Sequence, residues 1–280
     1  MPALAQLIAP VQLTPGRSEG PAVSGSRGQV YGGTVLAQAI VHAARHAPEG
    51  MRLQSAHIHF LRPGSTHEPL RHVTHPLHAS RRFATVRVES GQEASTLTTS
   101  TMTFHAAEAS PEHHRRWSAA WADPDDCETA TGRLVPERDA PTRAPFDIRQ
   151  AMAPGPAVTA HGRPLVAFWI RAAQSLPPDP AAHEAALGWV SDFSLTRIAD
   201  LEHSRQDRPQ LIASLDQALW FHGPVDLSAW HLHEIHSDAY RGGIATSTGT
   251  FFDRGGAMVA STTQQLLVRR PPREVSGSRT

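Results

Sequence analysis

Residues 32 to 44 of the chain are Gly32-Gly33-Thr34-Val35-Leu36-Ala37-Gln38-Ala39-Ile40-Val41-His42-Ala43-Ala44. Apolar residues recur here at intervals of three and four, which is the spacing of one face of an α-helix. The glycine pair marks the start of the pattern and Pro48 ends it. Because the apolar stripe is wide, the sequence predicts a helix that is buried on most of its sides.

Runs that favour β-strands follow this helix. The predicted strands are residues 53–60, 70–77, 83–89 and 94–104, with Ser90-Gly91-Gln92 as a hairpin connection. The same order returns later in the chain. It comprises a strand at 166–170, a helix at 180–200 and strands at 211–221, 232–237, 243–252 and 257–268, with Arg254-Gly255-Gly256 at the corresponding hairpin. Two similar halves, each a helix followed by antiparallel strands, predict a duplicated α+β fold.

The segment between the halves has a different composition. It is rich in proline and charged residues, so residues 107–145 are interpreted as a linker with one short helix near 117–121. The units on either side are residues 10–106 and 146–270. Residues 271–280 are polar and are expected to be a disordered tail.

Composition excludes several classes of partner and chemistry. The 26 basic and 26 acidic residues balance, and no apolar run is long enough for a membrane helix, so we expect neither nucleic acid nor membrane as a partner. Residues 1–6 lack the features of a signal peptide, and the single Cys127 has no internal partner for a disulfide. Both observations predict a cytoplasmic protein. The chain has no Lys, which excludes a P-loop and a Schiff-base lysine.

Several common catalytic motifs are also missing. The chain has no Gly-x-Ser-x-Gly elbow, no dinucleotide-binding glycine motif after a strand, and no His-Glu-x-x-His. The pairs His57/His59 and His231/His233 have a spacing that would suit a metal on one face of a strand. With 18 His in the chain such pairs arise by chance, so we expect no metal and no cofactor.

Six segments, in order along the chain, resemble the acyl-CoA thioesterase II family. They are Val30-Tyr31-Gly32-Gly33-Thr34-Val35-Leu36-Ala37-Gln38-Ala39, Phe60-Leu61-Arg62-Pro63-Gly64, Trp169-Ile170-Arg171, Ser191-Asp192-Phe193, Leu219-Trp220-Phe221-His222 and Val259-Ala260-Ser261-Thr262-Thr263-Gln264. The resemblance covers nearly the whole chain outside the linker and the tail. It implies a double hotdog fold, in which each of two tandem repeats wraps an antiparallel sheet around a long helix. It also implies hydrolysis of acyl-CoA to a free fatty acid and CoA.

The resemblance further implies which residues hold the attacking water. The family's Asp, hydroxyl and Gln fall on Asp192, Ser214 and Gln264, and some members carry Thr where this chain has Ser214. An ionised Asp accepts a proton or a hydrogen bond from water, while Ser and Gln each offer a donor and an acceptor. Gly32 and Gly33, at a helix N-terminus, are expected to bind the substrate by polarising the thioester carbonyl. Asp216, two residues after Ser214 and therefore expected on the same face of the strand, is a rival for the hydroxyl's role.

Several alternatives stay open at this point. A hotdog enoyl-CoA hydratase and an acyl-CoA binding protein without catalysis are the two alternative functions. In an alternative mechanism the Asp attacks the thioester covalently instead of activating water. Alignment of the two hairpins places Ser100 opposite Gln264, which predicts a single site per chain with its water-holding residues in the second half. The expected partners are the acyl-CoA substrate and further copies of the chain, in a dimer or larger homo-oligomer.

Overall fold

The fold is taken from a computed structural model that describes residues 3–25, 28–93, 95–131, 140–198 and 211–269. Within these ranges the α-helices are Leu4–Ile8 (α1), Gly32–Ala44 (α2), Ala140–Arg143 (α3) and Pro180–Ile198 (α4). The two long helices confirm the prediction, although residues 199 and 200 and the predicted tail lie outside the described residues. No helix in the described ranges is long and apolar enough to cross a membrane.

Strands hold more of the described residues than helices do. Those in the described ranges are Val11–Thr14 (β1), Arg17–Gly20 (β2), Met51–Phe60 (β3), Leu70–Ala79 (β4), Phe83–Gln92 (β5), Ser95–Ala106 (β6), Phe146–Gln150 (β7), Val166–Ala172 (β8), Leu211–Phe221 (β9), His231–Arg241 (β10), Ile244–Asp253 (β11) and Met258–Arg269 (β12). Every predicted strand is present. Five short elements were not predicted from the sequence, namely the strands β1, β2 and β7 and the helices α1 and α3.

These strands form one antiparallel sheet across the described residues. Its order is β1-β2-β4-β5-β6-β3-β9-β12-β11-β10-β8-β7. The strands that follow α2 therefore meet those that follow α4 at a single seam, where β3 pairs with β9 and His57 lies opposite Ala218. The hydrophobic core lies between the inner face of this sheet and the two long helices.

The two long helices pack directly against each other inside the sheet. Gly188 of α4 lies where they meet, and a Cβ atom at that position would come within 2.9 Å of Ile40 Cδ1 of α2. A larger residue would therefore require the Ile40 side chain to move. This close packing carries residues of α4 to the N-terminal end of α2, where the candidate site forms.

One irregularity recurs on both sides of the seam. Pairing between β3 and β6 skips Gln54, and pairing between β9 and β12 skips Leu215. Such bulges turn the residues on either side to opposite faces of the sheet. Ser214 consequently lies opposite the fully buried Leu266, whereas Asp216 lies opposite the exposed Gln265. The expectation that Ser214 and Asp216 share a face is wrong, and only Ser214 faces the core.

Two local predictions are also wrong. Ser90, Gly91 and Gln92 belong to β5 and not to a hairpin connection, because β5 continues past a register shift at Ser90 and Gly91. The Gln92 side chain turns inward, where its oxygen accepts from the Ser65 N–H at 2.8 Å. The turn therefore begins after Gln92.

The segment at 117–121 forms no helix. The buried Glu234 carboxylate on β10 accepts from Ser118 N at 2.5 Å and Trp121 Nε1 at 2.7 Å. Trp117 packs edge-on against Trp169 of β8, with ring centroids 6.0 Å apart. These long-range contacts hold the segment extended across the sheet face that points away from the helices, and they override its local preference for a helix.

A buried polar network ties α2 to the first strands. The Gln38 amide nitrogen donates to the Leu7 and Pro21 carbonyls at 2.7 and 2.9 Å, so its oxygen is the atom that faces His72 Nε2 at 2.9 Å. Because that oxygen can only accept, His72 carries its proton on Nε2. His42 lies between Ser18 and Thr74 at 2.9 and 2.7 Å. Burial, with nearby positive groups, lowers the pKa of His42 to about 4 and of His72 to about 3.

These two histidines predict acid sensitivity. The unfolded chain takes up a proton on each as the pH falls below 6.5, whereas the folded chain does so only near pH 4 and pH 3. The free energy of unfolding should therefore decrease as the pH is lowered from 6.5 toward these values, by up to about 1.4 kcal/mol per pH unit for each residue. Burial raises the pKa of Glu184 to about 7, so protonation of Glu184 increases the free energy of unfolding as the pH falls from 7 to 4.5.

Urea unfolding of the wild type and of His72→Gln at pH 6.5 and pH 5 measures this effect. The contribution of Glu184 is common to both proteins and cancels in the comparison. We expect the variant to lose less stability than the wild type between the two pH values. Equal losses would show that His72 is not neutral in the folded protein.

Candidate active site

The candidate site is centred on the carboxylate of Asp192, in the C-terminal half of α4. Asp192 is buried, and its Oδ2 accepts a hydrogen bond from Gly33 N, at the N-terminal end of α2, at 2.9 Å. The carboxylate of one long helix thus lies at the positive end of the other, which favours its charged form.

Two strands bring the other predicted side chains to this carboxylate. Gln264 of β12 donates through Nε2 to Asp192 Oδ1 at 2.5 Å and to Ser214 Oγ at 2.9 Å. Ser214 of β9 donates through Oγ to the same carboxylate oxygen at 3.3 Å. The bulge at Leu215 is what turns Ser214 toward Asp192. Asp192, Ser214 and Gln264, separated by up to 72 residues in sequence, therefore form one hydrogen-bonded cluster.

The predicted glycines let the helices approach this closely. A Cβ at Gly33 would lie 2.4 Å from the Trp189 carbonyl oxygen. A Cβ at Gly32 would lie 2.8 Å from Phe60 Cε1 and 3.0 Å from Asp192 Oδ2. A Cβ at Gly33 would therefore collide with backbone, and a Cβ at Gly32 would require the Phe60 ring or the Asp192 carboxylate to move. The Gly33 N–H binds the carboxylate, and the role of the two glycines toward a thioester carbonyl stays a prediction.

Hydrogen-bonding capacity remains in the cluster. Gln264 uses its nitrogen on Asp192 and Ser214, while its buried Oε1 has no hydrogen-bond partner among the described residues. An unsatisfied buried acceptor is rare in proteins and indicates a donor that binds there. Water fits, because it can donate one hydrogen to a carboxylate and the other to an amide oxygen and still present a lone pair. The cluster therefore presents a carboxylate and an unsatisfied amide oxygen to a small donor such as water.

One residue near this cluster was not predicted from the sequence. Gln217 of β9 is buried, lies directly opposite Gln264 and donates to Ser191 Oγ at 2.7 Å. Ser191 is the residue before Asp192. Gln217 shares its strand face with Leu219 and Phe221, both of them buried, so a polar residue in an apolar alternation was the signal that could have revealed it.

Among the described residues of the first half, no equivalent cluster lies at the predicted register. The strand pairing makes Met102 the counterpart of Gln264. Gln264 lies two residues before Leu266, which pairs with the residue before the bulge in β9. Met102 likewise lies two residues before Phe104, which pairs with Leu53, the residue before the bulge in β3. The prediction that Ser100 occupies this position is wrong, since aligning the hairpins ignored the longer β5. Ser100 is buried and donates to the Val88 carbonyl.

The histidine pairs do not converge on a metal site. His57 and His59 lie exposed on the outer face of the seam, where His57 contacts the Trp220 ring at 5.2 Å. Nδ1 of His231 lies 3.0 Å from the Ala229 carbonyl oxygen. Within the described residues, no group of three or more His, Cys, Asp or Glu side chains is arranged to hold a metal ion.

Comparison with known proteins places this chain in a family. Residues 21–105 match the model of the acyl-CoA thioesterase N-terminal domain, and residues 124–268 match that of the C-terminal domain. The chain belongs to the acyl-CoA thioesterase II family. It is 30% identical over 254 residues to acyl-CoA thioesterase 2 of Haemophilus influenzae, and the aligned residues cover 86% of this chain and 88% of that protein. It is 24% identical over 267 residues to human acyl-coenzyme A thioesterase 8, covering 90% and 83%.

Solved structures agree with this assignment. The acyl-CoA thioesterase II TesB2 from Mycobacterium marinum superposes with a TM-score of 0.82 at 27% identity, covering 96% of this chain and 99% of that one. A hot dog fold protein from Alicyclobacillus acidocaldarius superposes with a TM-score of 0.78 at 17% identity, covering 97% and 99%, and supports the fold alone. The chain is therefore a thioesterase with a hotdog fold. The C-terminal family model begins inside the predicted linker, at residue 124.

Proposed function

We propose that this thioesterase hydrolyses acyl-CoA to a free fatty acid and CoA, with a water molecule held by Asp192, Ser214 and Gln264. Family membership and the names of its relatives support the substrate. The observation that carries the residue assignment is the hydrogen-bonded cluster around the buried Asp192 carboxylate at the N-terminus of α2.

The proposed reaction needs no nucleophile from the protein. The water oxygen attacks the thioester carbonyl carbon while Asp192 takes one of the water's protons. The tetrahedral intermediate then collapses, the carbon–sulfur bond breaks, and the CoA thiolate leaves. Asp192 returns the proton to the thiolate sulfur, which leaves a carboxylic acid that ionises in solution. Gln264 and Ser214 fix the orientation of the water and of Asp192 throughout.

The carbonyl oxygen gains negative charge in the intermediate and needs donors or a positive dipole. The N-terminus of α2 supplies the positive end of a helix beside Asp192. Gly32 lacks a Cβ, which would lie 2.8 Å from Phe60 Cε1 and 3.0 Å from the Asp192 carboxylate, so a side chain there would crowd the site. In this proposal Gly32 and Gly33 form the wall against which the substrate carbonyl binds.

We also propose that the fold consists of two hotdog units in tandem. In support, α2 with β3–β6 and α4 with β9–β12 have the same order, and both units carry a bulge at the corresponding position, Gln54 and Leu215. The seam between β3 and β9 would then be the interface between the two units.

Release of free thiol from acyl-CoA substrates, from acetyl to palmitoyl, tests the proposed function. We expect turnover for at least one chain length, with stoichiometric fatty acid. A protein that only binds acyl-CoA would show affinity without thiol release. An enoyl-CoA hydratase would consume an unsaturated acyl-CoA without releasing CoA. Either result would contradict the proposal.

Ser214 provides a prediction that separates water activation from a serine nucleophile. Ser214→Thr keeps a hydroxyl and should retain most activity, since a β-branched residue also suits a strand. Ser214→Ala removes one hydrogen-bonding group next to Asp192 and should lose about 1 to 3 kcal/mol of transition-state stabilisation. Steady-state turnover of both variants measures this.

Inhibition provides the complementary control. Organofluorophosphates, which phosphorylate nucleophilic serines, should leave the wild type active. Stoichiometric labelling of Ser214 with loss of activity would contradict the role of Ser214 as a hydrogen-bonding residue.

A further inference from the structure

A row of polar side chains crosses the inner face of the sheet at the level of Gln264. On one side Ser247 of β11 lies directly opposite Gln264, and on the other side Gln217 of β9 does so. All three residues are buried. Directly opposed side chains in an antiparallel sheet have Cβ atoms about 5 Å apart, so the three form a continuous row across neighbouring strands.

The other half of the sheet carries the matching row, and it is apolar. Val86 of β5 lies opposite Met102 of β6, and Met102 lies opposite Ala56 of β3. At the seam, Ala56 is paired with Leu219, while Gln217 is paired with Ile58. The two rows occupy equivalent positions, because Ala56 and Gln217 each lie two residues after the bulge of their strand.

The comparison of the two rows shows that polarity is confined to the half with the site. Ser247, Gln264 and Gln217 replace Val86, Met102 and Ala56, and Ser214 replaces Leu53. An apolar row is sufficient to fold the sheet, as the first half demonstrates. Burying polar groups costs free energy unless they are hydrogen-bonded, so packing alone does not account for Gln217.

The contacts of Gln217 lead to the catalytic carboxylate. Its Nε2 donates to Ser191 Oγ at 2.7 Å and lies 3.3 Å from Thr262 Oγ1. Ser191 Oγ in turn donates to the Gly188 carbonyl at 2.9 Å. Gln217 therefore connects the turn of α4 that carries Asp192 to β9, and to β12 two residues before Gln264.

The amide oxygen of Gln217 is a second clue. Like Gln264 Oε1, Gln217 Oε1 is buried and has no hydrogen-bond partner in the described part of the chain. Two acceptors on directly opposed residues match the two hydrogens of one water molecule. The Gln264 oxygen has two lone pairs, so it can accept from this water and also from the attacking water. The shared water would fix the orientation of the Gln264 amide, whose nitrogen binds Asp192.

We propose that Gln217 is a positioning residue of the hydrolytic site, acting on Asp192 through Ser191 and on Gln264 through a shared buried water. This inference rests on the proposed function. Gln217 itself touches neither the substrate nor the attacking water. Its effect is to hold the carboxylate and the amide in the geometry that the reaction needs, and displacement of such groups by about 1 Å can cost a factor of 100 in rate.

Gln217→Met tests the proposal, because Met has a similar length but neither donates nor accepts strongly. We expect kcat to fall by about 10- to 100-fold with KM within twofold of the wild type, since positioning of the reacting groups and not substrate binding is lost. Leu219→Met is the matched control, on the same face of the same strand. It should leave kcat unchanged. Thermal melts of both variants establish that they are folded at the assay temperature.

Ser191→Ala provides a second, independent variant. If Gln217 acts partly through Ser191, this variant should also lower kcat, and the double variant should lose less than the product of the two single losses. Unchanged kcat in folded Gln217→Met, or losses matched by Leu219→Met, would overturn the proposal. Full multiplicativity of the two losses would overturn its route through Ser191.

Wild type and Gln264→Met are assayed in the same series, to separate this inference from the proposed function. If the wild type releases no thiol, the proposed function fails and this inference fails with it. If Gln264→Met loses turnover while Gln217→Met does not, the proposed site stands and only the role of Gln217 is wrong.

Discussion

Replacement of Asp192 by Asn is expected to lower turnover by about two to four orders of magnitude, the usual contribution of a positioned general base. Asn is nearly the same size but cannot take a proton from water. Its amide nitrogen would also face donors, since Gly33 N, Ser214 Oγ and Gln264 Nε2 all donate to the Asp192 carboxylate. A modest loss of stability, about 1 to 3 kcal/mol, should accompany the loss of activity.

Asp216→Asn is the control for this experiment. Asp216 lies two residues from Ser214 but on the opposite face of the sheet, because of the bulge at Leu215. Its replacement should leave turnover unchanged. Near wild-type turnover from folded Asp192→Asn would remove the water-activating role of Asp192, and a loss confined to Asp216→Asn would place the reaction elsewhere.

Gln264 is the second position with a large expected effect. Gln264→Met keeps the length of the side chain but removes a donor to the Asp192 carboxylate and an acceptor for water. Hydrogen bonds to charged groups contribute about 1.5 to 3 kcal/mol, so turnover should fall by roughly one to two orders of magnitude. Steady-state kinetics of the purified variant measures the loss.

Variants in the first half test whether the chain has a single site. Met102 corresponds to Gln264 in the strand register, and Ser100 is the position that the hairpin alignment had indicated. Met102→Leu and Ser100→Ala should both change stability more than turnover, since their surroundings are apolar core or a backbone carbonyl. Losses of turnover equal to that of Gln264→Met would mean that both halves contribute to catalysis.

Regular elements could be predicted from the sequence because they depend on local periodicity. The helix α2 and all the longer strands have clear apolar alternation or helical spacing, and β9 begins and ends at the predicted residues. The segment at 117–121 could not be predicted in this way. Its conformation depends on Glu234, more than a hundred residues away in sequence, whose buried carboxylate binds Ser118 and Trp121.

Bulges account for the part of the site that the sequence could not specify. A single skipped residue reverses the faces of a strand and leaves no mark in the alternation of side chains that can be recognised without the partner strand. Leu215 separates Ser214 from Asp216 in this way. The choice of Ser100 instead of Met102 as the counterpart of Gln264 has a different cause, because β5 continues to Gln92, beyond its predicted end at residue 89. The family resemblance indicated Asp192, Ser214 and Gln264 as candidate site residues, whereas the proposed role of Gln217 depends on knowing which strands are paired.

A single-turnover experiment with enzyme in excess over acyl-CoA, in which free CoA thiol and free fatty acid are both followed by rapid quench, tests the central claim most directly. Direct attack by water held at Asp192 predicts that thiol and fatty acid appear together with one rate constant. Thiol that appears before the fatty acid would reveal a covalent acyl-enzyme, and the absence of both products would show that the chain does not hydrolyse acyl-CoA.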